Sequence, residues 1–143
     1  MKDLILITGS VMGANSDSVK TYEDLVSMID TEEYDVSSPL DTMKFVGTDE
    51  ERFDRAVSML SETSMMIAEM SSVSTGQGIE LGIASTMNIP VLVIAKEGSK
   101  VSGLVKGCPT VKGIVYYKDV KDIKEELDKF IGGENEKHSN NRR

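Results

Sequence analysis

Short apolar runs that alternate with amphipathic stretches constrain this chain more than any other feature. Leu4 to Thr8, Met65 to Ala68 and Pro90 to Ala95 are continuous apolar runs, too short for helices and bounded by turn residues. Such runs read as strands buried on both faces. Tyr34 to Val36 and Gly113 to Tyr117 add a short second strand and a fifth one. Between the runs the period changes. Val19, Tyr22, Val26 and Ile29 recur at helical spacing behind Asn15, Ser16 and Asp17, residues suited to cap a helix. Thr48 and Glu51 form a capping box that opens a helix with Phe53, Ala56, Val57 and Leu60 on its inward face. Leu81, Ala84 and Met87 mark another helix. Val120, Ile123, Leu127 and Phe130 mark a closing one, capped by Asp119 and ended by Gly132-Gly133.

Residues 37–47, with Pro39 and Gly47, read as a loop, as does 69–78; 97–112 holds a loop and at most a short helix. Strand–helix alternation of this kind implies a parallel sheet covered on both sides. The expected fold is α/β: a single-domain, Rossmann-like three-layer structure with a five-stranded parallel sheet flanked by helices. The domain spans 1–131, and 132–143 is expected to be a disordered polar tail, since nothing in it can be buried.

Composition excludes several classes of function. Among 143 residues, 16 Lys and Arg stand against 24 Asp and Glu, a formal charge of −8, which disfavours nucleic acid or an anionic membrane as partner. One cysteine, Cys108, and one histidine, His138, leave neither a disulfide framework nor a zinc cluster. No apolar run reaches the roughly 18 residues of a membrane span. The first eight residues are too short for a signal peptide, so a cytoplasmic location is expected. Cys108 reads as a bystander, His138 as solvated, and most of the nine methionines as core filling.

Two strand ends carry the residues suited to chemistry, because ligands of parallel sheets sit at the carboxyl ends of strands. The first is Gly9-Ser10-Val11-Met12-Gly13, a small-residue loop where backbone can approach a ligand and a helix start offers amides to an anion. It lacks the three glycines of a dinucleotide fingerprint, and a tight turn explains it equally well. The second runs from Glu69 to Gly82. Hydroxyls and glycines there lead into a helix whose first turn is expected to hold Glu80, with Gly76, Gly78 and Gly82 stripping bulk from around it. A carboxylate in such a groove can meet a small ligand end-on, although a charge that complements the helix dipole would look the same.

The stretch Ile67 to Met70, followed by Ser74-Thr75-Gly76-Gln77-Gly78-Ile79-Glu80-Leu81-Gly82-Ile83-Ala84, resembles the nucleoside 2-deoxyribosyltransferase superfamily, which carries a Gly-x-Gly-x-Glu-x-Gly-x-Ala element after its third strand. Gly9-Ser10 and the strand Ile89 to Ile94 fall where that family has theirs, and the resemblance spans nearly all of 3–131. The 2′-deoxynucleoside 5′-phosphate N-hydrolase branch looks closer than the transferases. Six residues before the family glutamate, transferases place an aspartate for the sugar hydroxyl and the hydrolases a phosphate-binding serine; here the residue is Ser74. Ser102, in Val101 to Gly107, matches the serine those hydrolases bring across a dimer interface.

The resemblance implies an N-glycosidase that releases the base of a nucleoside 5′-monophosphate, with Glu80 as nucleophile. Substrate would meet Gly9, Ser10, Met12, Gly13, Glu69, Ser74, Gly76, Gly78 and, from the second copy of a homodimer, Ser102. No metal or organic cofactor is expected. Three positions depart from the family pattern: its helical aspartate falls on Ala56, its first-strand tyrosine on Leu6 and its loop arginine on Met12. Asp54 is about 200° around the helix from Ala56 and cannot replace it. Glu69 is then the best-placed second carboxylate, ahead of Asp17 and Asp41. Met12 or Met70 could pack on a base. Two readings compete with the hydrolase: a nucleotide-binding module without turnover, and transfer of deoxyribose between bases, which Ser74 disfavours.

Overall fold

A computed structural model of the chain describes residues 1–11 and 14–141, the side chains of 138–141 excepted. Strands β1 (Leu4–Thr8), β2 (Asp35–Ser37), β3 (Thr63–Glu69), β4 (Val91–Lys96) and β5 (Val111–Tyr117) pair in the order β2-β1-β3-β4-β5, every pair parallel. The alternation of side chains splits the core in two. Ile5, Ile7, Met65, Ile67, Leu92 and Ile94 face one layer. Leu6, Met66, Ala68, Val91, Val93 and Ala95 face the other. Both faces are covered, which is why the central strands carry unbroken apolar runs.

The first layer holds α1 (Ser16–Ser27), a 3-10 turn at Val120–Ile123 and α6 (Lys124–Asn141), which bury Leu25, Ile123, Leu127 and Ile131. The second holds α3 (Asp49–Glu62), α4 (Thr75–Thr86) and the one-turn α5 (Gly103–Lys106), through Leu60, Leu81, Ala84 and Val105. Asn15 caps α1 by accepting from the amides of Asp17 and Ser18, and the Thr48–Glu51 capping box opens α3, as their sequences imply. From β1 the chain steps outward to β2 and then crosses back to β3 on the other side of β1. The crevice above β1 and β3 is therefore the topological switch point, the usual ligand site of open α/β sheets. No described helix is long and apolar enough to cross a membrane.

Four expectations are corrected. Residues 37–47 contain α2 (Pro39–Lys44), opened by a capping box in which Ser38 accepts from Leu40 and Asp41 accepts from Ser38, with Pro39 in the first turn. Phe53 is exposed (55%), because the first turns of α3 overhang an open cavity rather than the core, and burial along α3 starts in earnest at Leu60. Helix α4 begins at Thr75, which puts Glu80 in its second turn and weakens the dipole explanation for a carboxylate there. Helix α6 runs through Gly132-Gly133 to Asn141 where a helix end and a polar tail were expected. Each glycine costs about 1 kcal/mol in a helix relative to alanine. Offsetting that cost, Ile131 and Glu134 are buried, and Lys137 Nζ donates to Glu134 Oε1 at 3.2 Å.

Candidate active site

Gln77 shows how the switch point is built. Its buried amide nitrogen donates to Thr8 Oγ1 at 3.1 Å and to the Glu69 carbonyl at 2.9 Å, pinning the start of α4 to the ends of β1 and β3. Ser74 caps the same helix by accepting from the Gln77 amide at 3.3 Å. At the end of β1, Tyr22 donates to the Ser10 carbonyl at 2.8 Å. A Cβ at Gly9 would fall 2.4 Å from the Tyr22 hydroxyl oxygen, so only glycine admits that ring. Burial, and then the Glu69 charge, push the Tyr22 hydroxyl up to about 12, which keeps it a donor at any physiological pH.

Between these strand ends and the overhanging turns of α3 opens a cavity of about 670 Å³. Gly9, Ser10, Ser74, Gly76 and Glu80, all anticipated from sequence, line it together. Glu80 is the deep carboxylate. Burial raises its pKa above the ordinary 4.5, and the positive charge of Arg55 partly opposes the rise. Leu6 and Ala56 also line the wall, so the two apolar departures face the same space as Glu80.

Sequence reasoning missed the opposite wall. Phe45, which caps the end of α2, lies beneath two guanidinium groups, with Arg55 5.3 Å and Arg52 5.6 Å from its ring centroid. Arg55 Nη1 also donates to Thr42 Oγ1 at 3.4 Å. Asp49, Arg52, Arg55 and Glu80 are the charged residues of the cavity, Asp49 at an exposed position. The readable signal was Arg52 and Arg55 at i, i+3 on a helix whose capping box was already evident.

Three anticipated contacts sit elsewhere. Glu69 does not line the cavity: it is buried, accepts from the Ser71 amide and hydroxyl at 2.8 Å each, and accepts from the Tyr117 hydroxyl. Ser71 in turn accepts from the Lys96 amide at 2.8 Å, so this carboxylate braces the ends of β3, β4 and β5. Gly78 and Ser102 line a second groove of about 540 Å³, between α4 and the segment 100–108. Gly82 and Met70 lie there as well, so of the three glycines only Gly76 shares the space of Glu80. Val73 and Ser74 belong to both hollows, which meet at that point. Met12 and Gly13 lie outside the described residues. Among the described residues no group of three or more His, Cys, Asp or Glu gathers as a metal site would require.

No family model matches the chain. A protein of Methanosarcina mazei, named as a candidate 2′-deoxynucleoside 5′-phosphate N-hydrolase, is 28% identical over 137 residues, covering 91% of this chain and 84% of its own length. Among solved structures, the CMP N-glycosidase of Clostridium botulinum superposes with a TM-score of 0.68 at 20% identity, covering 88% of this chain and 99% of that one. The 2-deoxyribosyltransferase of Bacillus psychrosaccharolyticus superposes with a TM-score of 0.66 at 16% identity, covering 85% and 90%. At such identities the two structures speak for a shared fold.

Proposed function

We propose that the chain is a member of the nucleoside 2-deoxyribosyltransferase superfamily and, within it, an N-glycosidase hydrolysing (deoxy)nucleoside 5′-monophosphates to free base and sugar 5-phosphate. The observation that carries this reading is Glu80: a half-buried carboxylate with a raised pKa, on the wall of a nucleotide-sized cavity at the switch point. A carboxylate in that setting suits attack on the anomeric carbon, since removal from water makes it more reactive once ionised. The sugar carbon develops oxocarbenium character as the bond to the base breaks, and water then cleaves the glycosyl ester, as in retaining glycosidases. The 5′-phosphate would sit at the mouth, by Ser10, Ser74 and the first amides of α4, where hydroxyls and a helix start favour an anion.

The working unit in this reading is a homodimer whose second copy supplies Ser102. Within one chain Ser102 lies in the neighbouring groove, apart from the cavity of Glu80. That groove is rimmed by Leu104 and Val73, which are 89% and 100% exposed, and a second copy laid over it would bury both. The hollows meet at Val73 and Ser74, so a partner hydroxyl seated at that junction would lie beside the proposed phosphate site.

One observation favours a second reading. Leu6 and Ala56 present apolar surface where the family has a tyrosine and an aspartate, which suits a nucleotide-binding module without turnover. Chromatographic detection of free base from a panel of nucleotides, run beside thermal-shift measurements, separates the two. Base release supports the enzyme. A shift without release supports the module.

A further inference from the structure

The cavity holds a deep carboxylate but no acid beside it to protonate a departing base. Ala56 fills the helical position of the family's aspartate, and the cavity's other carboxylate, Asp49, is exposed in the first turn of α3. What stands next to Ala56 is Arg55. We propose that Arg55 is the leaving-group residue of this site: its guanidinium meets the base and stabilises the negative charge that develops as the glycosidic bond breaks. This inference rests on the N-glycosidase reading above and assigns the half of the reaction that Glu80 cannot perform.

Three observations converge on that role. The first is depth. Both α3 and α4 start at the carboxyl edge of the sheet, and at 1.5 Å per residue Arg55 and Glu80 lie about 9 and 8 Å below their helix starts. They therefore occupy one level of the cavity, beneath the mouth where Ser74 and Asp49 stand. The second is electrostatic: Arg55 and Glu80 line the same cavity, and the Arg55 charge is what opposes the burial-driven rise of the Glu80 pKa. The third is preorganisation. The Phe45 ring and Thr42 Oγ1 hold the guanidinium without neutralising it, so its charge remains available to a ligand. A guanidinium fork also fits the paired oxygen and nitrogen acceptors on a base edge.

The chemistry balances without a general acid. A Glu80 oxygen bonds to C1′ while the C1′–N bond breaks, and its electron pair passes to the base, which departs as an anion beside Arg55. Arg55 contributes charge and hydrogen bonds to this step rather than a proton. Water then bonds to C1′ as the ester bond breaks and its electron pair returns to the Glu80 carboxylate; one water proton neutralises the base anion, and the remaining hydroxyl stays on the sugar.

The test is a change of leaving group. Arg55→Gln and wild type are compared on dGMP and 7-methyl-dGMP if the enzyme releases purines, or on dUMP and 5-fluoro-dUMP if it releases pyrimidines. The modified bases depart neutral or as stabilised anions and need little help. Arg55→Gln should lose about 30-fold or more in kcat on the unmodified nucleotide and at most about 3-fold on the modified one. Wild-type kcat should show no alkaline limb up to about pH 9, since no acid must stay protonated. Equal losses on both members of a pair overturn the inference and leave the N-glycosidase reading standing. So does an alkaline limb that Asp49→Asn abolishes. If the wild type releases no base from any nucleotide, both fall. Should Arg55→Gln fail to fold, Arg55→Lys keeps the charge without the fork. It should show the same leaving-group bias with a smaller loss, and equal loss on both substrates would again overturn the inference.

Discussion

Helix α4 has two working faces, and they differ in nearly every respect. Gly76 and Glu80, one turn apart, look into a cavity that carries both signs of charge. Gly78 and Gly82, also one turn apart but rotated about the axis, look into a groove whose apolar lining is Met70, Val73, Leu81, Val101, Leu104 and Val105. A Cβ added to any of these three glycines would meet nothing within 4 Å, so the space beside them is not used by the chain itself. A single glycine-rich motif thus serves two purposes at a spacing set by the 3.6-residue turn. The polar face can perform chemistry. The apolar face is suited to assembly, and the two touch only through Val73 and Ser74.

The largest test of this division is Glu80→Gln. Side-chain size is kept and the negative charge is lost, so base release should fall by at least about a hundredfold while nucleotide binding persists. Single-turnover release and a thermal-shift titration measure the two separately. Release at the wild-type rate would remove the nucleophile from the polar face.

Phosphate recognition sits where the two faces meet and should have the next largest effect. With Ser10, Ser74 and the α4 amides at the mouth, a nucleoside monophosphate at a hundredfold excess over its Kd should stabilise the chain by about 2.7 kcal/mol. The matching nucleoside at the same concentration should give little. Equal shifts from the two ligands would mean that the mouth does not read phosphate.

The apolar face is tested by mixing subunits. A Glu80→Gln chain and a Ser102→Ala chain are each impaired alone, the second through a weakened phosphate contact. In a hybrid dimer with trans Ser102, one pocket carries both lesions and the other neither. Random 1:1 pairing should restore about a quarter of wild-type sites. Leu104→Glu in both chains, which puts a charge on the groove rim, should abolish the recovery and shift sedimentation toward monomer. Absence of recovery from dimers that demonstrably exchange would confine Ser102 to its own chain.

The difference between the faces also explains what the sequence made legible. Strand and helix periodicity gave the five strands and both core layers, because burial on two sides leaves unbroken apolar runs. Glycine and serine spacing brought Gly9, Ser10, Ser74, Gly76 and Glu80 to one cavity because all lie on or beside two strand ends of a parallel sheet. Assigning Gly78 to Glu80's surroundings needed only a count around the helix to correct, but the start of α4 had to be known first. Glu69 was a different problem. Its partners Tyr117 and Ser71 come from β5 and a loop, and no local pattern encodes a hydrogen bond to a residue 48 positions away. Arg52 and Arg55 escaped notice because surface arginines on a helix are ordinary. Only α2, itself hidden in what read as a loop, turns Phe45 toward them.

The smallest predicted effect is on stability, and it separates the polar face from an ordinary helix surface. Glu80 has a folded-state pKa above the ordinary 4.5, with burial the larger cause and Arg55 the opposing one. The folded chain therefore binds this proton more tightly than the unfolded chain. Its contribution to stability is highest in acid and declines as pH rises through the interval above 4.5; at neutral pH the ionised carboxylate is a net cost. Glu80→Gln removes that cost. Arg55 loses a favourable neighbour in the exchange, which trims the gain without reversing it, since the burial effect is the greater of the two. The ligand-free Glu80→Gln chain should therefore melt up to about 3 °C above wild type at pH 7.5. The gap should narrow toward pH 4 and close below it, as wild-type Glu80 becomes protonated in both states. A variant that melts lower than wild type at pH 7.5 would mean that the Glu80–Arg55 attraction outweighs desolvation. The polar face would then be a stabilising ion pair rather than a carboxylate held in readiness for a substrate.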